Sequence, residues 1–356
     1  MARQSATATR PRSRFCRSNR TLTDLDRAVL IPLDLDPAVP PPGSRVHTFD
    51  GTSMGTTWSV RVAAPRVDDP RPALQAELDA IVAQMSHWEP DSLLSRYNRA
   101  PAGMWIDLPA QFFDVIDYAL WAHMASGGAY DPAAGALIDL WGFGAARRYD
   151  HTGFYAPDEA TIERALEQRA AARLSFDRDH RRLLQPGGLR LDLSSIAKGY
   201  AVDRLALCLE RRGLDHYLVE VGGELRGAGV KPDGHPWWVE IEAVPDHQAP
   251  RAVVALHGIS IATSGDYRQY FEHGARRMSH TLDPRTGRPA GNDVASVTVL
   301  APTCMEADAL STVLDVLGPD DGVAFAEARA LAARFLVRRE GTLEDIVTPA
   351  WKALLQ

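Results

Sequence analysis

An α+β architecture is what this sequence predicts, and three observations predict it. Segments with apolar residues at helical spacing are mixed with short segments whose apolar residues recur at every second position. The strand-like segments gather in the C-terminal half, from Trp237 to Leu300. The chain has 356 residues and 45% hydrophobic content, enough for a substantial core, and shows neither an internal repeat nor a linker after residue 45. One domain over 46–356 is the economical expectation.

The first 45 residues stand apart. Arg10, Arg12, Arg14, Arg17 and Arg20 precede the cluster Pro37, Pro40, Pro41 and Pro42, a composition that predicts a disordered Arg/Pro-rich leader over 1–45. A secretory signal needs about 7–15 consecutive apolar residues after its basic stretch. The best run, Ala28 to Leu33, is interrupted by Pro32 and followed by Asp34. Cys16 lacks the small, apolar neighbours of a lipoprotein cleavage site, so a cytoplasmic location is expected. No stretch approaches the roughly 20 apolar residues that span a bilayer.

Order is expected to begin near Val46, with Trp58 to Val62 as a strand after the glycine-containing turn Gly51 to Gly55. Leu74, Leu78, Ile81, Val82 and Met85 form one helical face, and Phe112, Ile116, Ala119, Leu120 and His123 a second. Ser86 to Asn98 between them reads as a polar loop, and Gly127 to Gly144 as too irregular for a long element. Asp158 to Arg169 predicts a helix, followed by a hairpin of Arg173 to Phe176 with Arg182 to Gln185. Leu189 to Leu193 alternates as a strand, and Ala197 to Arg212 is helical, with Gly213 placed to end it. Strands follow at Tyr217 to Val221, Trp238 to Ala243, Ala252 to Leu256, Arg277 to Leu282 and Val294 to Leu300. Helices at Met305 to Leu317 and Asp320 to Arg329 precede a last strand, Arg334 to Arg338.

A formal charge of -7, with both signs mixed, provides no broad positive face for a nucleic-acid backbone. Cys16, Cys208 and Cys304 are far apart and odd in number, which suggests neither a disulfide framework nor a zinc site. The familiar phosphate loops are absent too: no GxxxxGK[ST] occurs, and Pro232 follows Gly227-Ala228-Gly229 where GxGxxG would need a helix to begin.

Two other segments have phosphate chemistry in them. From Leu191 to Tyr200 a strand-like run ends in Ser194 and Ser195 and enters a helix, so free N–H groups and the Lys198 ammonium can converge on an anion. The plain alternative is a serine N-cap beside a solvated lysine. Asp308 and Thr312 lie one helical turn apart on one face, a carboxylate and a hydroxyl suited to Mg²⁺. Alone, such a pair is ordinarily just a polar face.

Their company decides between these readings. Ser53 to Trp58, Met85 to Trp88 with Asp91 to Asn98, Gly128 to Pro132 with Leu140 to Gly144, Asp192 to Asp203, Val221 to Glu224, Ala262 to Tyr267, Ser279 to Gly287, and Asp308 with Ser311 and Thr312 occur in a fixed order. Together they resemble the ApbE family of FAD:protein FMN transferases over about residues 47 to 335. The resemblance implies a single mixed α/β domain, ApbE-like and T-fold-like. It implies Mg²⁺ held by Ser195, through its backbone carbonyl, with Asp308 and Thr312. It places FAD, as substrate, against Met54, Trp88, Ala129, Tyr130, Asp131, Asp192, Lys198, Thr281 and Leu282. Trp88 stands where tyrosine is frequent, so stacking is kept while a phenolic hydrogen bond is lost. Packing alone is the alternative for Met54 and Tyr130.

The implied reaction is attack by a Thr or Ser hydroxyl of a client flavoprotein on the FMN phosphorus, with AMP expelled. Lys198 and the metal would absorb charge, and His280, beside the Asp283-Pro284 turn, is the candidate base, with Asp283 in the catalytic set. A histidine merely bonded to Asp283 is the alternative. A Mg²⁺-dependent FAD pyrophosphatase and a non-catalytic FAD-binding protein are the competing functions. Many family members are exported and lipid-anchored, which makes an exported or membrane-associated location the alternative to a cytoplasmic one.

Overall fold

Period-two alternation builds the centre of the molecule. In this computed structural model, which describes residues 28–32, 38–245, 247, 249–274 and 276–356, Trp58, Val60, Val62 and Ala64 face one side of a sheet while Ala63 faces the other. The strands are β1 (Arg45–Ser53), β2 (Thr56–Ala64), β3 (Tyr217–Val221), β4 (Glu224–Ala228), β5 (Ile259–Gly265), β6 (Val294–Ala301), β7 (Ala332–Arg339) and β8 (Thr342–Val347). They pair in that sequence order, each antiparallel to the next, as an eight-stranded meander.

Segments before, between and after those strands cover both faces of the sheet. One face carries α1 (Arg71–Met85), α2 (Ala197–Glu210) and α3 (Cys304–Glu327), whose apolar sides pack with Val219, Ala262, Val297 and Val299 in the main core. On the other, Leu218, Ile261 and Leu300 pack beneath a three-stranded sheet of Ala28–Leu30, Trp237–Glu240 and Ala252–Leu256. The match to the expected α+β class is therefore close, with the long helices α1, α2 and α3 on one side.

Several boundaries moved. The leader expected over 1–45 is shortened: Ala28–Leu30 runs parallel to Ala252–Leu256, and Leu30 is fully buried, because its apolar run finds an open sheet edge. The rest of that expectation, over 1–27 and 33–37, lies outside the described residues. Leu189 to Leu193 is not a strand. Its backbone groups are taken instead by Asn98, whose amide bonds Leu191 N–H and C=O, and by the turn at Pro132 to Gly135. Arg277 to Leu282 divides between two hairpins, Tyr270–His273 with Arg276–Ser279 and Leu282–Asp283 with Arg288–Pro289. The two expected C-terminal helices are one element broken at Gly318, whose φ of 79° and the following Pro319 force a kink. Arg334 to Arg338 is not the last strand, since β8 and the helix Pro349–Lys352 follow.

Candidate active site at the start of the lysine helix

The entry to α2 is folded by its own acidic residue. Asp192 Oδ1 accepts from the Ser194 N–H at 2.8 Å and from the Ser194 hydroxyl at 2.5 Å. The helix N-cap is Ile196, with no side-chain cap, so the serine-cap alternative does not hold. Instead the Gly199 N–H in the first turn donates to Asp308 Oδ2 of α3 at 2.9 Å. Glycine is required for that approach. A Cβ at Gly199 would sit 2.3 Å from the Cys304 carbonyl oxygen and 2.7 Å from Asp308 Cβ.

Beside this contact lies a buried charge cluster. Lys198 Nζ is 2.5 Å from Glu224 Oε1, and the Glu224 side chain is 3% exposed against 31% for Lys198. Burial pulls the Lys198 pKa down, but the Glu224 and Asp308 carboxylates outweigh it and the net shift is upward. Glu224 and Asp308 are both pushed up, first by burial, with Lys198 pulling back. All three shifts are upward, the lysine's because two carboxylates face it and the carboxylates' because they are buried. The 2.5 Å contact gives the Lys198 ammonium to Glu224 rather than to Asp308.

Hydroxyl groups from β5 and α3 stand around Asp308. Ser264 Oγ lies 2.8 Å from Ser311 Oγ and 3.3 Å from Thr312 Oγ1, while Ser311 donates to the Asp308 carbonyl at 2.9 Å. A cavity of about 90 Å³ brings together Ala129, Tyr130, Asp131, Asp192, Ser195, His280, Thr281, Leu282 and Thr312. Nine expected residues thus meet at one small space. Ser195 donates to the Tyr130 hydroxyl oxygen at 3.1 Å, and burial drives the Tyr130 pKa up. Asp131 is held elsewhere, by Arg169 and by the Ala133 N–H at 2.8 Å.

Met54, Trp88 and Lys198 line a neighbouring cleft of about 480 Å³, joined to the first through Ser194. Met54 occupies the two-residue hairpin turn between β1 and β2 with φ at 53°, followed by Gly55 at 72°. Both central residues of this turn need positive φ, which Asn-Gly accepts readily and methionine does not. The Met54 side chain lines the cleft and also packs against the main core. Trp88 is 51% exposed, with the His87 ring 5.0 Å away and the Arg148 guanidinium 5.6 Å from its centroid.

His280 keeps some solvent contact at its edge, yet it sits deep enough that burial lowers its pKa to about 4. Its Nδ1 is 3.2 Å from the Gln269 carbonyl oxygen. A carbonyl only accepts, so Nδ1 carries the proton and Nε2 presents a lone pair. Asp283 is not the partner of His280. Its two oxygens accept from the Arg285 guanidinium, each at 2.9 Å, and its carbonyl accepts from the Gly287 N–H at 2.8 Å.

Sequence reading passed over Glu224 as a role, although its Gly-Gly-Glu phrase was visible, and over His87, whose Nδ1 is 3.5 Å from Asp192 Oδ2. A larger cleft of about 660 Å³, at Asp266, Asp315 and Arg338, contains none of the residues expected to hold FAD or metal. Chemistry rather than volume therefore picks the site. Among the described residues no three His, Cys, Asp or Glu gather as a metal site. Asp308, with the Ser264 and Thr312 hydroxyls that line the cavity, offers oxygen donors only, which suits Mg²⁺ and its retained waters better than zinc.

Known proteins share this arrangement of chain. The model of the ApbE family matches residues 54–335. The FAD:protein FMN transferase of Vibrio cholerae is 36% identical over 324 residues, spanning 88% of this chain and 94% of its own. That of Escherichia coli K12 is 34% identical over 321 residues, spanning 88% and 90%. Among solved structures, the apo form of the Pseudomonas stutzeri flavinyl transferase ApbE aligns with a TM-score of 0.78 at 37% identity, covering 87% of this chain and 97% of that one.

Proposed function

The chain belongs to the ApbE family, and we propose that it is a Mg²⁺-dependent FAD:protein FMN transferase acting on a Thr or Ser hydroxyl of a client flavoprotein. That it is a transferase of the FAD:protein FMN type follows from its relatives. The observation that carries the finer reading is the convergence of Lys198, Asp308 and the Ser264, Ser311 and Thr312 hydroxyls at the start of α2.

Each residue then has a task. Asp308 and Thr312, with the Ser195 carbonyl, would hold Mg²⁺, which neutralises charge on phosphate oxygens when bound. Lys198 would meet the FAD phosphates from the helix start, and Trp88 and Met54 would lie against its rings. Neutral His280 would accept the acceptor hydroxyl proton at Nε2 as the new O–P bond forms and the bond to AMP breaks. Its low pKa keeps it deprotonated at neutral pH, so the base is ready without a prior proton loss. Asp283 we assign to holding the turn after His280 rather than to chemistry.

The test is incubation of the pure protein with FAD and Mg²⁺, with and without a Thr- or Ser-bearing acceptor flavoprotein. An FMN-sized mass gain on the acceptor, with AMP released in step, is the expected result. AMP released equally without acceptor would replace transfer by hydrolysis, and neither product would leave only a flavin-binding protein. Among the described residues no helix is long and apolar enough to cross a membrane.

A further inference from the structure

We propose that Glu224 is a positioning residue that holds the Lys198 ammonium away from Asp308, leaving that carboxylate free for a divalent cation. The inference rests on the Mg²⁺ reading above and adds to it a residue with no role there. Its first support is the pair itself: Glu224 Oε1 is 2.5 Å from Lys198 Nζ, and Oε2 is buried without a partner. A carboxylate is buried this deeply at a cost, and its one bond goes to the lysine.

The backbone around the pair is shaped to it. Gly222 has φ at 62°, and a Cβ there would lie 2.9 Å from Thr56 Cγ2 and 3.3 Å from Lys198 Cδ. The turn therefore wraps the lysine stem. Behind it, Arg268 donates to the Gly222 carbonyl at 3.2 Å and pairs with Glu242, which fixes the turn that carries Glu224.

Asp308 is the competing destination for the ammonium. Its Oδ2 accepts from the N–H of Gly199, the residue next to Lys198, yet among the described residues no ion pair joins Lys198 to Asp308. A lysine stem has several rotatable bonds. Without Glu224 the ammonium would swing to Asp308 and compete with the metal for the same oxygens.

Metal binding by the substrate-free protein tests this, with Mn²⁺ as the probe and electron paramagnetic resonance reporting free ion. Glu224→Gln should weaken Mn²⁺ binding about tenfold, the scale of one part-buried ion pair placed on the ligand. Removing the lysine as well, in Glu224→Gln with Lys198→Ala, should restore binding to the level of Lys198→Ala alone. Glu224→Asp, which keeps the charge, should recover part of the loss. A damaged fold cannot produce restoration in the double variant. Unchanged binding in Glu224→Gln, or a double variant as weak as Glu224→Gln, would overturn the inference while leaving the metal reading intact. A parent protein that binds no Mn²⁺ would overturn both.

Discussion

Two aspartates on one face of α3 meet different fates. Asp308, Thr312 and Asp315 fall at helical positions i, i+4 and i+7 and so share a side. Asp308 accepts from the Gly199 N–H at Oδ2, faces Lys198, and has the Ser311 hydroxyl on its backbone carbonyl. Asp315, less than two turns further on, is 2% exposed and has Oδ2 without a partner. Burial raises its pKa to about 7, with the Thr281 hydroxyl and Arg338 pulling down and Asp266 pushing up. Burial is the first cause at both carboxylates, and what sets Asp308 apart is the backbone N–H and the ammonium turned towards it.

The sharpest way to break this contrast is to remove the member proposed to hold the metal. Asp308→Ala should lower metal-dependent AMP release from FAD by roughly 10³-fold or more, read by a continuous AMP assay. Full activity would remove Asp308 from the metal set.

Asp315→Asn should act on stability instead. In the unfolded chain Asp315 titrates near the ordinary 3.8, whereas in the fold it does so at about 7. The folded state therefore holds its proton more tightly, and the associated stability, present in full below about pH 4, is lost as pH rises towards 7. The Asn variant lacks this loss, so its melting advantage over the parent should grow between pH 4 and 7, to about 4 kcal/mol at most. A difference independent of pH would show that Asp315 is not a trapped acid.

Lys198→Ala should reduce kcat/KM for FAD by about 10²-fold, through lost charge neutralisation on the phosphates. The smallest effect is expected from Asp283→Asn. Arg285 would keep one hydrogen-bonding partner, and turnover should change by less than about threefold. A loss as large as that of Lys198→Ala would return Asp283 to the chemistry.

Much of the candidate site was legible because the residue types it gathers are written in short local phrases. The i, i+4 spacing of Asp308 and Thr312, and the lysine at a helix start, needed only helical geometry to be read. What could not be read was competition among neighbours distant in sequence. Asp283 looked catalytic beside His280 until Arg285 was found on both its oxygens, and Ser194 and Ser195 looked like caps until Asp192, Tyr130 and Asp308 took over those bonds. Leu189 to Leu193 alternates like a strand, but Asn98, some 90 residues earlier, claims its backbone.

By itself the sequence determined the kind of elements, the α+β class, the family phrases and the residue types offered to phosphate and metal, since these follow from local periodicity and side-chain chemistry. Only the tertiary structure decided which offers are taken. It made the strands one meander in chain order, gave Ala28–Leu30 a sheet edge, put Gly199 against Asp308, and gave Lys198 to Glu224. The physical reason is that a buried polar group is defined by its partner, and partners are chosen by packing between segments far apart along the chain.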